Sequence, residues 1–166
     1  MPAIGQQHAR FMMNSKILVS VAFSVTLAAS TGFAVASDSN SIRRTQTGQL
    51  NIAEIRQKSR NNVVELNQFG NRNIAFIRQN GQYNVSGVFQ AGKHNSADVS
   101  QTGDRSRSQL RQIGGVNEAA VTQTGRISRS VVTQSGEVNF LTSYTNGGLN
   151  VLMIDQVSRA RGMFRR

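Results

Sequence analysis

The chain has 166 residues, no cysteine, and a single proline at position 2. Nineteen Lys and Arg against eight Asp and Glu give a formal net charge of +11 at pH 7. The lack of cysteine excludes a fold held by disulfides. The positive charge favours anionic partners such as phosphate, polysaccharide or membrane surfaces, without selecting one of them.

Residues 1–36 have the features of a secretory signal peptide. A basic amino-terminal part precedes an uncharged apolar run from position 17 to about 29, and small residues at 34–36 offer a cleavage site. The apolar run is too short to span a bilayer. We therefore predict an exported protein made of residues 37–166, stabilised by something other than disulfides.

Glutamine recurs every eleven residues over most of the remaining chain, without an insertion or a deletion. These residues are Gln46, Gln57, Gln68, Gln79, Gln90, Gln101, Gln112, Gln123 and Gln134, with Gln156 two periods later. A glycine follows two places after most of them: Gly48, Gly70, Gly81, Gly92, Gly103, Gly114, Gly125, Gly136 and Gly147. An asparagine follows five places after most of them: Asn51, Asn62, Asn73, Asn84, Asn95, Asn117, Asn139 and Asn150. A fixed period of this kind indicates a stacked repeat architecture.

Within each unit, alternate residues share one chemical character. Asn73, Ala75, Ile77 and Gln79 illustrate the order Asn, small, apolar, Gln at every second place, which is the periodicity of a strand with one buried face. The charged residues fall on the intervening places, apart from Arg44, Arg161 and Arg165 in the first and last units. A disordered Gln- and Asn-rich tract would not sort its charges in this way.

A seven-residue strand and a four-residue turn containing the glycine account for the eleven residues. The predicted strands are 40–46, 51–57, 62–68, 73–79, 84–90, 95–101, 106–112, 117–123, 128–134, 139–145 and 150–156. Two units then make one rung of about 22 residues, and each rung pairs with the next in parallel. The predicted fold is an all-β, two-sheet β-solenoid that forms cross-β structure on assembly.

The inward Asn and Gln side chains require hydrogen-bond partners, because a buried amide without them is costly. In a stack with constant register, each amide can bond to the identical amide in the rungs above and below. We predict that these Gln and Asn residues form a structural amide ladder. The alternative interpretation is that they are turn-favouring surface residues. It fits the asparagines but not the glutamines at the strand ends.

Two other classes of function, catalysis and nucleic-acid binding, have little support in the sequence. His94 is the only histidine after residue 36 and falls in a predicted turn, so we expect neither catalysis nor a cofactor, metal or small-molecule substrate. Arginines on a regular lattice could follow the phosphates of a nucleic acid. Acidic residues such as Glu65 and Asp98 interrupt those faces, however, which favours incidental binding to extracellular nucleic acid or anionic polysaccharide over primary recognition.

The stretch with Asn62, Gln68, Gly70, Asn73, Ala75 and Gln79 resembles the curlin repeat, Ser-x5-Gln-x-Gly-x-x-Asn-x-Ala-x3-Gln. The pattern recurs from Asn84 to Gln101 and from Ser106 to Gln123. The resemblance implies a secreted subunit of curli, the functional amyloid fibres of the biofilm matrix, which act in adhesion. It implies self-polymerisation, assembly with another curlin subunit, and export through a curli-type outer-membrane apparatus.

Curli have a major fibre-forming subunit and a minor subunit that nucleates the fibre at the cell surface. The strong positive charge and the basic carboxyl-terminal end resemble the minor subunit, although a major subunit is the alternative. The end residues predicted to anchor the chain to an anionic cell-surface or matrix polymer are Arg159, Arg161, Arg165 and Arg166.

Four aromatic residues lie on predicted strands but off the inward phase. They are Phe76, Phe89, Phe140 and Tyr144. They either cover apolar backbone or mediate lateral bundling of fibrils, since exposed apolar patches mark contacts. The sequence leaves both interpretations open.

Overall fold

The computed structural model describes residues 17–21 and 40–158. The strands are β1 (Ile17–Val21), β2 (Ser41–Thr47), β3 (Ile52–Lys58), β4 (Val63–Asn71), β5 (Ile74–Asn80), β6 (Val85–Lys93), β7 (Ser96–Gly103) and β8 (Arg107–Val157). No helix in these residues is long and apolar enough to cross a membrane.

The strands stack in two parallel rows with a constant offset. One row runs β2, β4, β6 and the start of β8, and the other runs β3, β5, β7 and a later part of β8. Ser41 pairs with Val63 in the first row and Ile52 pairs with Ile74 in the second, so the offset is 22 residues in both. The prediction of an all-β solenoid with 22 residues per turn is therefore confirmed.

The strand limits differ from the predicted ones, most of all in the second half of the chain. The first strands begin one residue later than predicted, whereas Arg107–Val157 is a single continuous strand of 51 residues. The reason is that corner residues also pair between rungs, as Gly92 does with Gly114 and Gly103 with Gly125. Backbone pairing thus continues around the corners.

The core lies between the two rows and follows the alternation of the sequence. Its largest apolar side chains, Ile55, Leu66, Ile77 and Leu110, are buried. The neighbouring inward places hold smaller buried residues, namely Ala, Val and Ser. Because the buried set recurs at every second residue, each strand contributes one face to the core and turns the other to solvent.

The amino-terminal strand β1 lies at the edge of the β3 row. It pairs with β3 in antiparallel orientation, Ile17 opposite Arg56 and Val21 opposite Ile52. The rest of the predicted signal peptide lies outside the described residues. So does the predicted anchoring segment, residues 159–166.

Candidate functional site: amide columns and stack ends

The glutamines form two columns of hydrogen bonds through the core. Gln68 Nε2 donates to Gln90 Oε1 over 2.7 Å and to the Ile52 carbonyl over 3.1 Å. The same side-chain bond joins Gln57 to Gln79, Gln79 to Gln101, Gln90 to Gln112, Gln101 to Gln123, Gln112 to Gln134, and Gln134 to Gln156. In each of these bonds between two glutamine side chains, the acceptor belongs to the next rung toward the carboxyl-terminal end. The columns therefore have a direction.

The asparagines bond in the opposite direction and also hold the corners. In the β3 row, Asn95 Nδ2 donates to Asn73 Oδ1 over 2.9 Å. In the β2 row, the backbone N–H of Asn84 donates to Asn62 Oδ1 over 3.0 Å, while Asn62 Nδ2 donates to the carbonyls of Lys58 and Gly81. These asparagines therefore link their corners to neighbouring rungs, a role that the sequence pattern did not specify. Asn150 does not, because its Nδ2 has no hydrogen-bond partner among the described residues.

The glycines after the glutamines stack in contact with one another. Gly70 has φ of +104°, and a Cβ placed there would lie 2.2 Å from the carbonyl oxygen of Gly92. Gly92 repeats this relationship with Gly114, where the distance would be 1.9 Å. Glycine is required here both for its backbone angle and because the next rung leaves no room for a side chain. Only the first reason could be read from the sequence.

The last rung of the β3 row departs from this regularity. Thr145 occupies the place of a glutamine, above Gln123, and Ser143 occupies the place of an apolar core residue. Both hydroxyl groups are buried without a hydrogen-bond partner among the described residues. Gln123 Nε2 still donates to the Arg107 carbonyl over 3.1 Å. The glutamine column thus ends at Gln123 in this row but reaches Gln156 in the other.

Strand β2 carries one charged residue on its inward phase. Arg44 lies on the edge strand β2 and pairs with Leu66 of β4. It is partly buried, and burial lowers the pKa of its guanidinium because desolvation disfavours the charged form.

The outward charges partly neutralise one another. Arg78 lies 3.7 Å from Asp98 in the next rung, and Arg56 forms an ion pair with Glu54. At a corner, Arg72 Nη1 lies 3.1 Å from Nε2 of the exposed His94. The described residues contain no group of three or more His, Cys, Asp or Glu that could hold a metal ion.

A comparison with known protein families gives a match in the central rungs, where both glutamine columns are complete. Residues 70–103 match the family model of the curlin associated repeat. Over these residues the chain is similar to the curlin repeat. They contain β5, β6 and β7, and the same Gln, Gly and Asn spacing continues on both sides of them. No curated protein and no solved structure gives a significant match to the chain.

Proposed function

We propose that this protein is a structural subunit of extracellular curli-type amyloid fibres, and specifically the minor subunit that nucleates polymerisation at the cell surface. The curlin repeat supports the structural, fibre-forming role. The observation that carries the proposal is the constant parallel pairing of residues 22 positions apart, which stacks inward residues of the same kind, as in Gln68 with Gln90. A stack of rungs with the same inward pattern can be extended by other chains that carry this pattern.

The amino-terminal end of the stack is the proposed template. Strand β2 is an edge strand, and β3 carries only β1 on its outer side. If the predicted signal peptide is removed, β1 goes with it and exposes the N–H and C=O groups of β3. Unpaired groups of this kind template further strands.

Charge supports the minor rather than the major subunit. The chain carries +11, and its described arginines other than Arg44 lie at outward places of the strands and at corners, as Arg72, Arg78 and Arg111 do. Such a surface is suited to an anionic cell surface or matrix polymer. It would also attract a fibre-forming partner of acidic character, and major curlin subunits tend to be acidic or near neutral.

The decisive experiment mixes the purified mature protein, residues 37–166, with a soluble major curlin subunit. A nucleator present at a few per cent of the major subunit abolishes the lag before fibre growth, followed by thioflavin fluorescence. A matched control is the same protein with Gln68, Gln90 and Gln112 replaced by Ala, which interrupts one column over three successive rungs. Abolition of the lag by both proteins, or by neither, contradicts nucleation through the stack.

The basic end is proposed to hold the protein at the cell surface. Deletion of residues 159–166 should spare seeding in solution but release the protein from cells, as measured by immunoblots of cell and medium fractions. A control chain in which the four arginines of this segment are replaced by lysine keeps the charge and should stay attached. Loss of seeding with retained attachment would show that the two ends have been assigned the wrong way round.

A further inference from the structure

The outer face of the β2 row contains a groove centred on Gly87. The groove has a volume of about 380 Å³ and is lined by Glu65, Phe89, Gln109 and Val131 among others. A Cβ at Gly87 would meet no atom within 4 Å. The groove therefore exists because one outward place on this strand has no side chain.

A fixed aromatic side chain stands beside the groove. Phe89 is two residues beyond Gly87 on the same strand and the same outward face. Its ring centroid lies 5.7 Å from that of Phe69 in the rung below, and the Arg111 guanidinium lies 5.2 Å from it in the rung above. These two neighbours hold the half-buried ring in place, so the face presents a fixed aromatic ring next to a hollow.

We propose that two copies of this chain associate laterally through this face, with Phe89 of each copy seated in the Gly87 groove of the other. A two-fold axis parallel to the stack, passing between these two places, produces this arrangement. Such an axis keeps both stacks pointing in the same direction and reverses the strands. Further chains can extend two parallel stacks side by side, so the pairing is compatible with the fibre proposed above. In this respect the inference rests on the proposed function.

The remaining outward places of the face fit this axis. The axis brings Val85 opposite Ala91, and Val63 opposite Phe69, of the second copy. Both Val63 and Phe69 are more than a third exposed in the single chain, at 39% and 38%. Apolar residues exposed in the single chain thus cover one another in the pair.

The charges are compatible with the same axis. It brings Glu65 opposite Asn67 and Arg111 opposite Gln109 of the second copy, and both contacts join a charged group to an amide. Within the described strands of this face, no two like charges lie directly opposite each other. Like charges directly opposite each other would destabilise such a pair strongly, and this arrangement avoids them.

The area is sufficient for a specific contact. The row consists of six strand segments at ~4.8 Å spacing, each of seven residues at ~3.3 Å, which gives a face of about 650 Å² per copy. The pair would bury about 1,300 Å², within the range of specific interfaces. The other row has no glycine among the outward residues of its described strands, so none of its outward places lacks a side chain in this way.

The first test compares Phe89→Ala with the matched control Phe76→Ala, which removes the same side chain from the other face. Sedimentation of the freshly purified protein should show dimer formation weakened about tenfold or more by Phe89→Ala. Phe76→Ala should leave it unchanged. Gly87→Val, which fills the hollow, should also weaken dimer formation without lowering the thermal unfolding temperature of the stack. Equal sedimentation of all four proteins overturns the proposal.

The second test examines the register. The chain has no cysteine, so Val85→Cys and Ala91→Cys each introduce a single thiol. Packed sheets lie ~10 Å apart, farther than a disulfide can bridge, so a short bis-maleimide is the probe. A mixture of the two variants should cross-link, and either variant alone should not. Cross-linking of the single variants at the level of the mixture overturns the two-fold arrangement.

These tests are independent of nucleation. A protein that forms the dimer but leaves the lag unchanged contradicts the proposed function and not the pairing. A protein that abolishes the lag, and whose fibres keep the same width in electron micrographs after Phe89→Ala, contradicts the pairing alone.

Discussion

Gln90 Nε2 donates to Gln112 Oε1 over 2.9 Å, and neither side chain is accessible to solvent. The second N–H of Gln90 has its own acceptor, the Ile74 carbonyl at 2.8 Å. The buried amide thus has partners in the next rung and in the opposite row. Since a buried polar group without partners costs far more than a hydrogen bond gains, the column ties the stability of each rung to its neighbours.

The first prediction concerns this column. Gln90→Ala should lower the free energy of unfolding by roughly 1 to 3 kcal/mol, because Gln68 and Gln112 each lose a buried partner. Arg78→Ala is the control. Arg78 is exposed and its contact with Asp98 is a surface ion pair, so we expect a change of less than ~1 kcal/mol. Urea unfolding of the two variants measures the difference, and equal losses would contradict the described burial.

The second prediction concerns the glycine column. Gly92→Ala should destabilise the stack by more than ~2 kcal/mol, because the new methyl group meets the Gly114 carbonyl and the residue keeps a positive φ. Gly87→Ala is the matched control on the same strand, where the space is open and φ is ordinary. Thermal unfolding by circular dichroism compares them. A similar loss for both would show that glycine is needed here for reasons other than contact between rungs.

The third prediction extends the shorter column. Thr145→Gln should raise the free energy of unfolding by about 0.5 to 1.5 kcal/mol, because Gln123 gains an acceptor in the next rung and a partnerless hydroxyl is removed. The control is Thr142→Gln, at an exposed outward place of the same segment. Stabilisation by both substitutions, measured in urea, would point to strand propensity instead of the column.

The fourth prediction tests the period itself. Deletion of residues 84–105 removes one rung and joins the chain in register, so the shortened protein should keep its strand content with only a moderate loss of stability. Deletion of Gly87 alone is the control. It moves the following residues of that strand to the opposite face and should disrupt the rung. Far-ultraviolet circular dichroism and unfolding by urea distinguish the two, and a folded, stable Gly87 deletion would contradict a register fixed by side-chain phase.

The sequence alone predicted the architecture, because the information lies in a local and repeated pattern. The eleven-residue spacing and the period-two alternation specify which face of each strand is buried and where the chain turns. Once two units form a rung, every residue must lie over the residue 22 positions later. The parallel pairing of Ile52 with Ile74 is a direct consequence.

The details of the columns depended on the structure. A repeating Gln predicts an amide column, but not that Gln donates toward one end while Asn95 donates to Asn73 toward the other. Strand limits were also misjudged after Arg107, because a turn motif does not show whether its backbone pairs with the next rung. These features depend on how one rung contacts the next, and the sequence of a single repeat does not specify that contact.

The outer surface was the least predictable part. The sequence placed Phe89 outward and left its role open, since nothing local distinguishes it from Phe76. Only the stacked rungs show that Phe69 and Arg111 hold the ring and that Gly87 leaves a hollow beside it. The inward face is determined by the sequence because burial imposes one chemistry on every rung. The outward face is determined by which unlike residues the 22-residue offset brings together, and that is a property of the tertiary structure.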